Sequence, residues 1–140
     1  MKPPQEIRVV AHFLDGSLLK GTTLDFVPSK PKFHIRTKTR DVHEVSIEEL
    51  KAIFFVRALS GSLEYNERKG FLTKKDQGKK VLVEFFDGEV LFGYTLSYSA
   101  KGLGFFMIPG DPHSNNSKVF VVHSATKRIK IQVKPFKVSR

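Results

Sequence analysis

The chain has 140 residues, 40% of them hydrophobic, with 13 Phe, no Cys, and 24 Lys and Arg against 14 Asp and Glu for a formal net charge of +10. Such a composition builds a core and argues against disorder, and the lack of Cys excludes disulfides, thiolate metal sites and cysteine nucleophiles. No apolar run approaches the ~18 residues of a membrane helix, and MKPPQEIRV has no signal-peptide core, so a cytoplasmic location without a membrane span is expected.

In IRVVAHF, the residues Ile7, Val9, Ala11 and Phe13 alternate with Arg8, Val10 and His12. A period of two is the pattern of a strand with one buried face. Asp15-Gly16 then interrupts the run and supplies the positive φ angles of a tight hairpin. A second strand is predicted over Leu18 to Phe26, with Gly21 where the sheet bends or meets another backbone, and a third over Lys32 to Thr37. In EVSIEELKAIFFVRAL, Val45 and Ile47 predict a strand, Glu48 to Leu50 a tight turn, and Ala52 to Arg57 a final strand. IEELKAI also fits a helical turn, but Ile53-Phe54-Phe55-Val56 strongly favours a strand.

A polar, charged linker with Gly61, Gly70 and Gly78 follows, and then the pattern begins again. Val81, Val83 and Phe85 alternate with Lys80, Leu82 and Glu84, Asp87-Gly88 makes the turn, and Val90 to Tyr98 carries Gly93. Further strands are predicted over Gly104 to Ile108, Val119 to His123 and Lys127 to Val133, with a turn at Ser124 to Thr126. Pro135 to Arg140 reads as a basic tail.

FLDGSLLKGTTLDF and FFDGEVLFGYTLSY are 72 positions apart. Asp15, Gly16, Leu19, Gly21, Thr23 and Leu24 recur as Asp87, Gly88, Leu91, Gly93, Thr95 and Leu96, the mark of an internal duplication. Lys51 and Ile53 match Lys127 and Ile129 at an offset of 76, and the four extra residues fall in the polar loop PGDPHSNNS. The predicted organisation is a first lobe over 1–59, a linker over 60–78 and a second lobe over 79–140. A lobe of roughly 60 residues buries only about 60% of its unfolded surface, so contact between the lobes is expected.

A bent unit of five short strands opening V-x-V-x-F-x-D-G-x-x-L-x-G resembles the Sm/LSm fold. Val81, Val83, Phe85, Asp87, Gly88, Leu91 and Gly93 carry the signature, and Val9, Ala11, Phe13, Asp15, Gly16, Leu19 and Gly21 repeat it. The resemblance implies an all-β protein of two tandem Sm-like (SH3-like) small β-barrels, with edge strands able to recruit another copy. The whole chain apart from its linker and ends also resembles an uncharacterised bacterial family, sometimes attached to PilZ or receiver domains. Sm proteins bind single-stranded RNA through a polar loop and an Arg-Gly turn; here the turns read His123 to Thr126 and Ser46 to Leu50, without Arg-Gly.

The positive balance favours polyanions, although a solvated surface carries the same charge. The candidate nucleic-acid contacts are Lys79, Lys80, Lys127, Arg128, Lys130 and Lys134, with Lys74, Lys75, Lys137 and Arg140 nearby, because basic side chains neutralise phosphates. Tyr94 and Tyr98 are candidates for stacking bases. The five histidines are scattered without ligand spacing, although His12 and His34 both fall on outer strand faces and a meeting of the two there is one reading. Ser114, Asn115, Asn116 and Ser117 suit either a ligand loop or a turn. The Asp-Gly aspartates read as turn formers, and no phosphate loop, nucleophile elbow or catalytic carboxylate pair is present. The expectation is a binding module without metal or cofactor, taking RNA or a protein partner, and not an enzyme.

Overall fold

The structure, a computed structural model, describes residues 6–59 and 78–132. It is all-β: β1 (Ile7–Phe13), β2 (Leu18–Thr23), β3 (Lys32–Arg36), β4 (Val42–Ser46), β5 (Leu50–Val56), β6 (Lys79–Phe85), β7 (Val90–Thr95), β8 (Gly104–Pro109), β9 (Asn116–Val122) and β10 (Thr126–Gln132). Short 3-10 turns at Ile47–Glu49 and His123–Ala125 link β4 to β5 and β9 to β10. The strand predicted at Val45 and Ile47 is β4, which ends at Ser46; the turn expected over Glu48 to Leu50 lies one residue earlier, at Ile47–Glu49, and β5 starts at Leu50, two residues before the predicted start.

β2 and β7 stop at Thr23 and Thr95, short of the predicted Phe26 and Tyr98. The physical reason differs little between them. Each chain leaves the ladder so that its aromatic can turn inward: Phe26 meets the rings of Phe33, Phe55, Phe106 and Phe120, and Tyr98 meets Phe105.

The ten strands make one open sheet in the order β10-β6-β7-β8-β9-β5-β1-β2-β3-β4, with every pairing antiparallel. The expectation of two barrels gives way to this continuous sheet. The duplication is nevertheless plain in its topology, because the order β5-β1-β2-β3-β4 recurs as β10-β6-β7-β8-β9. The seam between the halves is the pairing of β5 with β9, where Ile53 lies opposite Phe120 and Phe54 opposite Val119.

The seam is sealed by side chains that cross it. Val10, Ala52, Phe54 and Val56 of the first half share a core with Val81, Val83, Phe85, Leu91, Phe105, Met107, Val119 and Val121. Phe120 and Val122 of the second half enter the other core with Val9, Ala11, Phe33, Ile35, Val45, Ile53 and Phe55. β5 is consequently buried on both faces along its whole length. A fully buried Phe contributes about 3 kcal/mol of transfer free energy, so the two crossing phenylalanines alone offset much of what each small half lacks.

Gly21 and Gly93 are required by close approach. A Cβ at Gly21 would lie 2.1 Å from the Arg36 carbonyl oxygen, and one at Gly93 would lie 2.2 Å from that of Ile108. The neighbouring strand crosses β2 or β7 at these points. The repeated glycine is thus a packing constraint, while Gly16 and Gly88, with φ of 91° and 94°, serve the hairpin turns.

Candidate nucleic-acid interface

β6 and β10 form one end of the sheet. Their inward residues are apolar: Val81, Val83 and Phe85 are buried, with Ile129 and Ile131 packed against them. Alternation puts the intervening residues on the outer face, where cross-strand neighbours are Lys80 with Gln132, Leu82 with Lys130, and Glu84 with Arg128. A shallow groove of about 460 Å³ lies among Lys80, Leu82, Lys130, Ile131 and Gln132. It joins an apolar floor to ammonium groups from two strands.

Of the sequence candidates, Lys80, Arg128 and Lys130 are brought together on this face. Arg128 Nε lies 3.7 Å from Glu84 Oε1, an exposed pair whose attraction is largely screened. Lys127 sits at an irregularity in β10, where the register passes from Thr126 opposite Phe85 to Arg128 opposite Glu84, and it is exposed at the edge. Lys79 opens β6 opposite Thr95. Lys74, Lys75, Lys134, Lys137 and Arg140 lie outside the described residues.

Neither tyrosine presents a free ring to this groove. Tyr94 is 4% exposed, and burial pushes its phenol pKa upward. Tyr98 packs on Phe105 and His123 instead, with ring centroids at 4.9 and 5.8 Å. The pattern of two faces per strand places Tyr94 beside Lys80, but only the tertiary packing reveals that its ring is covered.

A second ionic cluster lies at the seam and has no signal in the sequence beyond the match of Lys51 to Lys127. Lys51 is 9% exposed, its Nζ is 2.7 Å from Asp87 Oδ2, and it also contacts Glu89 and lies 4.7 Å from the centre of the Phe85 ring. Burial opposes its charge, but hydrogen bonds to Asp87 and Glu89 outweigh that and raise its pKa. Hydrogen bonding from Lys51, together with the Glu89 amide, holds the Asp87 pKa down. Next to this cluster, burial and then the Lys51 charge lower the pKa of His12, whose ring lies 4.2 Å from that of Phe54 at a tilt of 44°.

His12 and His34 do not meet. His34 is hydrogen-bonded to Asp25 at 2.7 Å and faces Glu44 at 3.8 Å on the outer side of β3 and β4. Among the described residues no group of three or more His, Asp or Glu is arranged to hold a metal ion. The polar loop before β9 is spent on structure: the Asn115 side chain pairs with the amide and carbonyl of Ala58, the Ser117 hydroxyl donates to the Phe55 carbonyl, and Ser114 is buried. Asp15 likewise accepts hydrogen bonds from the amide and hydroxyl of Ser17, closing its turn.

Residues 5–132 match a family of unknown function (DUF6982). The chain belongs to that family. No curated protein and no solved structure matches it. In this DUF6982 chain, no helix among the described residues is long and apolar enough to cross a membrane, and the groove of β6 and β10 is where its basic side chains converge on apolar surface.

Proposed function

We propose that the chain is a non-enzymatic module that binds single-stranded nucleic acid, RNA foremost, along the outer face of β6 and β10, and that each five-strand half is an Sm-like unit. The observation that carries this reading is the grouping of Lys80 and Lys130 around an apolar-floored groove, with Arg128 further along the same face. Cations in such a groove attract phosphates and release counterions, while Leu82 offers apolar contact to bases. The net charge of +10 adds long-range attraction. With no Arg-Gly in the turn His123–Ala125, the site differs from the Sm pocket and lies on the sheet face.

Titration of fluorescent single-stranded RNA over a salt series tests the reading. Micromolar binding with a steep salt dependence is expected, and K80E/K130E should weaken it more than tenfold and flatten the salt slope by ~1.4, at about 0.7 per lost phosphate contact. Equal affinity in wild type and variant would refute it.

A second reading, a docking module for a protein, is favoured by exposed apolar residues at repeat-equivalent places. Leu14 and Phe86 at the hairpin turns are 57% and 70% exposed, and Leu24 and Leu96 after β2 and β7 are 56% and 78% exposed. A partner retained at salt concentrations that strip RNA, and lost in F86S/L96S, would select it.

A further inference from the structure

The seam shows how one half of this sheet accepts another, and the duplication carries its two strands onto the two outer edges of the described sheet. β5 corresponds to β10 and β9 to β4, and no described strand pairs beyond β10 or β4. The correspondence holds pair by pair. Phe54 opposite Val10 becomes Lys130 opposite Leu82, Ala52 opposite His12 becomes Arg128 opposite Glu84, and Phe106 opposite Phe120 becomes His34 opposite Glu44. The irregularity that sets Lys51 out of register in β5 recurs at Lys127. Asp87, which Lys51 grips across the seam, has its counterpart in Asp15.

The backbone of a head-to-tail joint is therefore present at both ends, while the side chains that seal it are not. Lys130 stands where the seam has Phe54, Arg128 where it has Ala52, and Glu44 where it has Phe120. These charges would not neutralise one another in such a joint. Their counterparts point to opposite sides of the seam, Phe54 and Ala52 into the second core and Phe120 into the first. Each charge would enter apolar surroundings alone, at a cost that prevents pairing.

We infer that β10 and β4 form a latent joint for a second copy of this chain, in the register that sets Ile129 opposite Glu44 of that copy, and that Arg128, Lys130 and Glu44 hold it shut. Charged side chains on edge strands are a general protection against unwanted pairing. The protection has a purpose here, because a head-to-tail joint does not satisfy itself in a dimer and would propagate into rings or filaments.

The cysteine-free chain allows a direct test. E44C/I129C places thiols at facing positions of the joint, where facing residues of an antiparallel pair lie within the ~4.4–6.8 Å that a disulfide spans. With Arg128 and Lys130 present, oxidation of the folded protein should leave monomers on a non-reducing gel. Adding R128A/K130F, or the milder R128Q/K130Q that exposes no new apolar surface, should give a ladder of crosslinked copies and a rise in mass by light scattering. Monomers in both neutralised backgrounds would overturn the joint, crosslinking with Arg128 and Lys130 intact would overturn their protection, and equal crosslinking by the exposed L96C control would show unspecific association and overturn the register.

Discussion

β5 and β10 descend from the same segment of the repeat, yet among the described strands one is buried along its whole length and the other is a basic edge. Both pair with the first strand of their own half through the same register and the same irregularity. They differ in what lies on their far side, since β9 covers β5 and no described strand covers β10. Where a neighbour is present the positions read Ala52, Phe54 and Val56, and where none is present they read Arg128, Lys130 and Gln132. One backbone serves as a seam or as a surface according to three side chains, and the proposed binding face belongs to the strand that no described strand flanks on its far side.

The largest effect should come from breaking the seam. Phe120→Ala removes a fully buried ring that crosses into the first core, and should cost about 4 kcal/mol of unfolding free energy by urea titration. Its counterpart Glu44→Ala, on the exposed edge, should change stability by less than about 0.5 kcal/mol. Gly93→Ala comes next, at about 3 kcal/mol, because the added Cβ meets the Ile108 carbonyl and the crossing strands must separate.

Lys51→Met should cost about 2 kcal/mol, by removing the buried cation that ties β5 to the turn at Asp87 and Glu89. Lys127→Met, the same change at the edge of the described sheet, should be neutral within about 0.5 kcal/mol. Equal losses at the two lysines would break the comparison.

A smaller effect is the dependence of stability on pH. The pKa of His12 is lowered in the fold, so the unfolded chain takes up its proton first; stability should fall as pH drops below ~6.5. Asp87 has a lowered pKa and adds stability that is present above ~4 and lost as pH falls through its folded value. Lys51, with a raised pKa, contributes stability that is present below ~10.4 and lost only as pH rises through its folded value. Melting temperatures should therefore decline from pH 7 to pH 5 in wild type and decline less in His12→Phe, while the later acid loss persists.

Much of this comparison is legible in the sequence. The 72-residue offset, the alternation around Val81 to Phe85 and the Asp-Gly turns give the strands and the duplication. The continuous seam is not legible, because periodicity says that Phe54 faces one side of β5 but not that another half-sheet lies there. Lys80, Arg128 and Lys130 stand out as basic residues, and their convergence follows from strand parity once β6 and β10 are known to pair. The burial of Tyr94 and of Lys51 escapes sequence reasoning because each depends on residues far along the chain, and a polar side chain carries no mark of whether a distant segment covers it.

The most direct measurement compares two charge-matched variants at opposite ends of the sheet, K80E/K130E and K20E/K30E, in RNA binding at physiological salt. All four lysines are described residues outside the buried core, and both variants change net charge equally. A loss of more than tenfold is expected for K80E/K130E and less than threefold for K20E/K30E, and equal losses in the two would mean that net charge, and not the face of β6 and β10, attracts the polyanion.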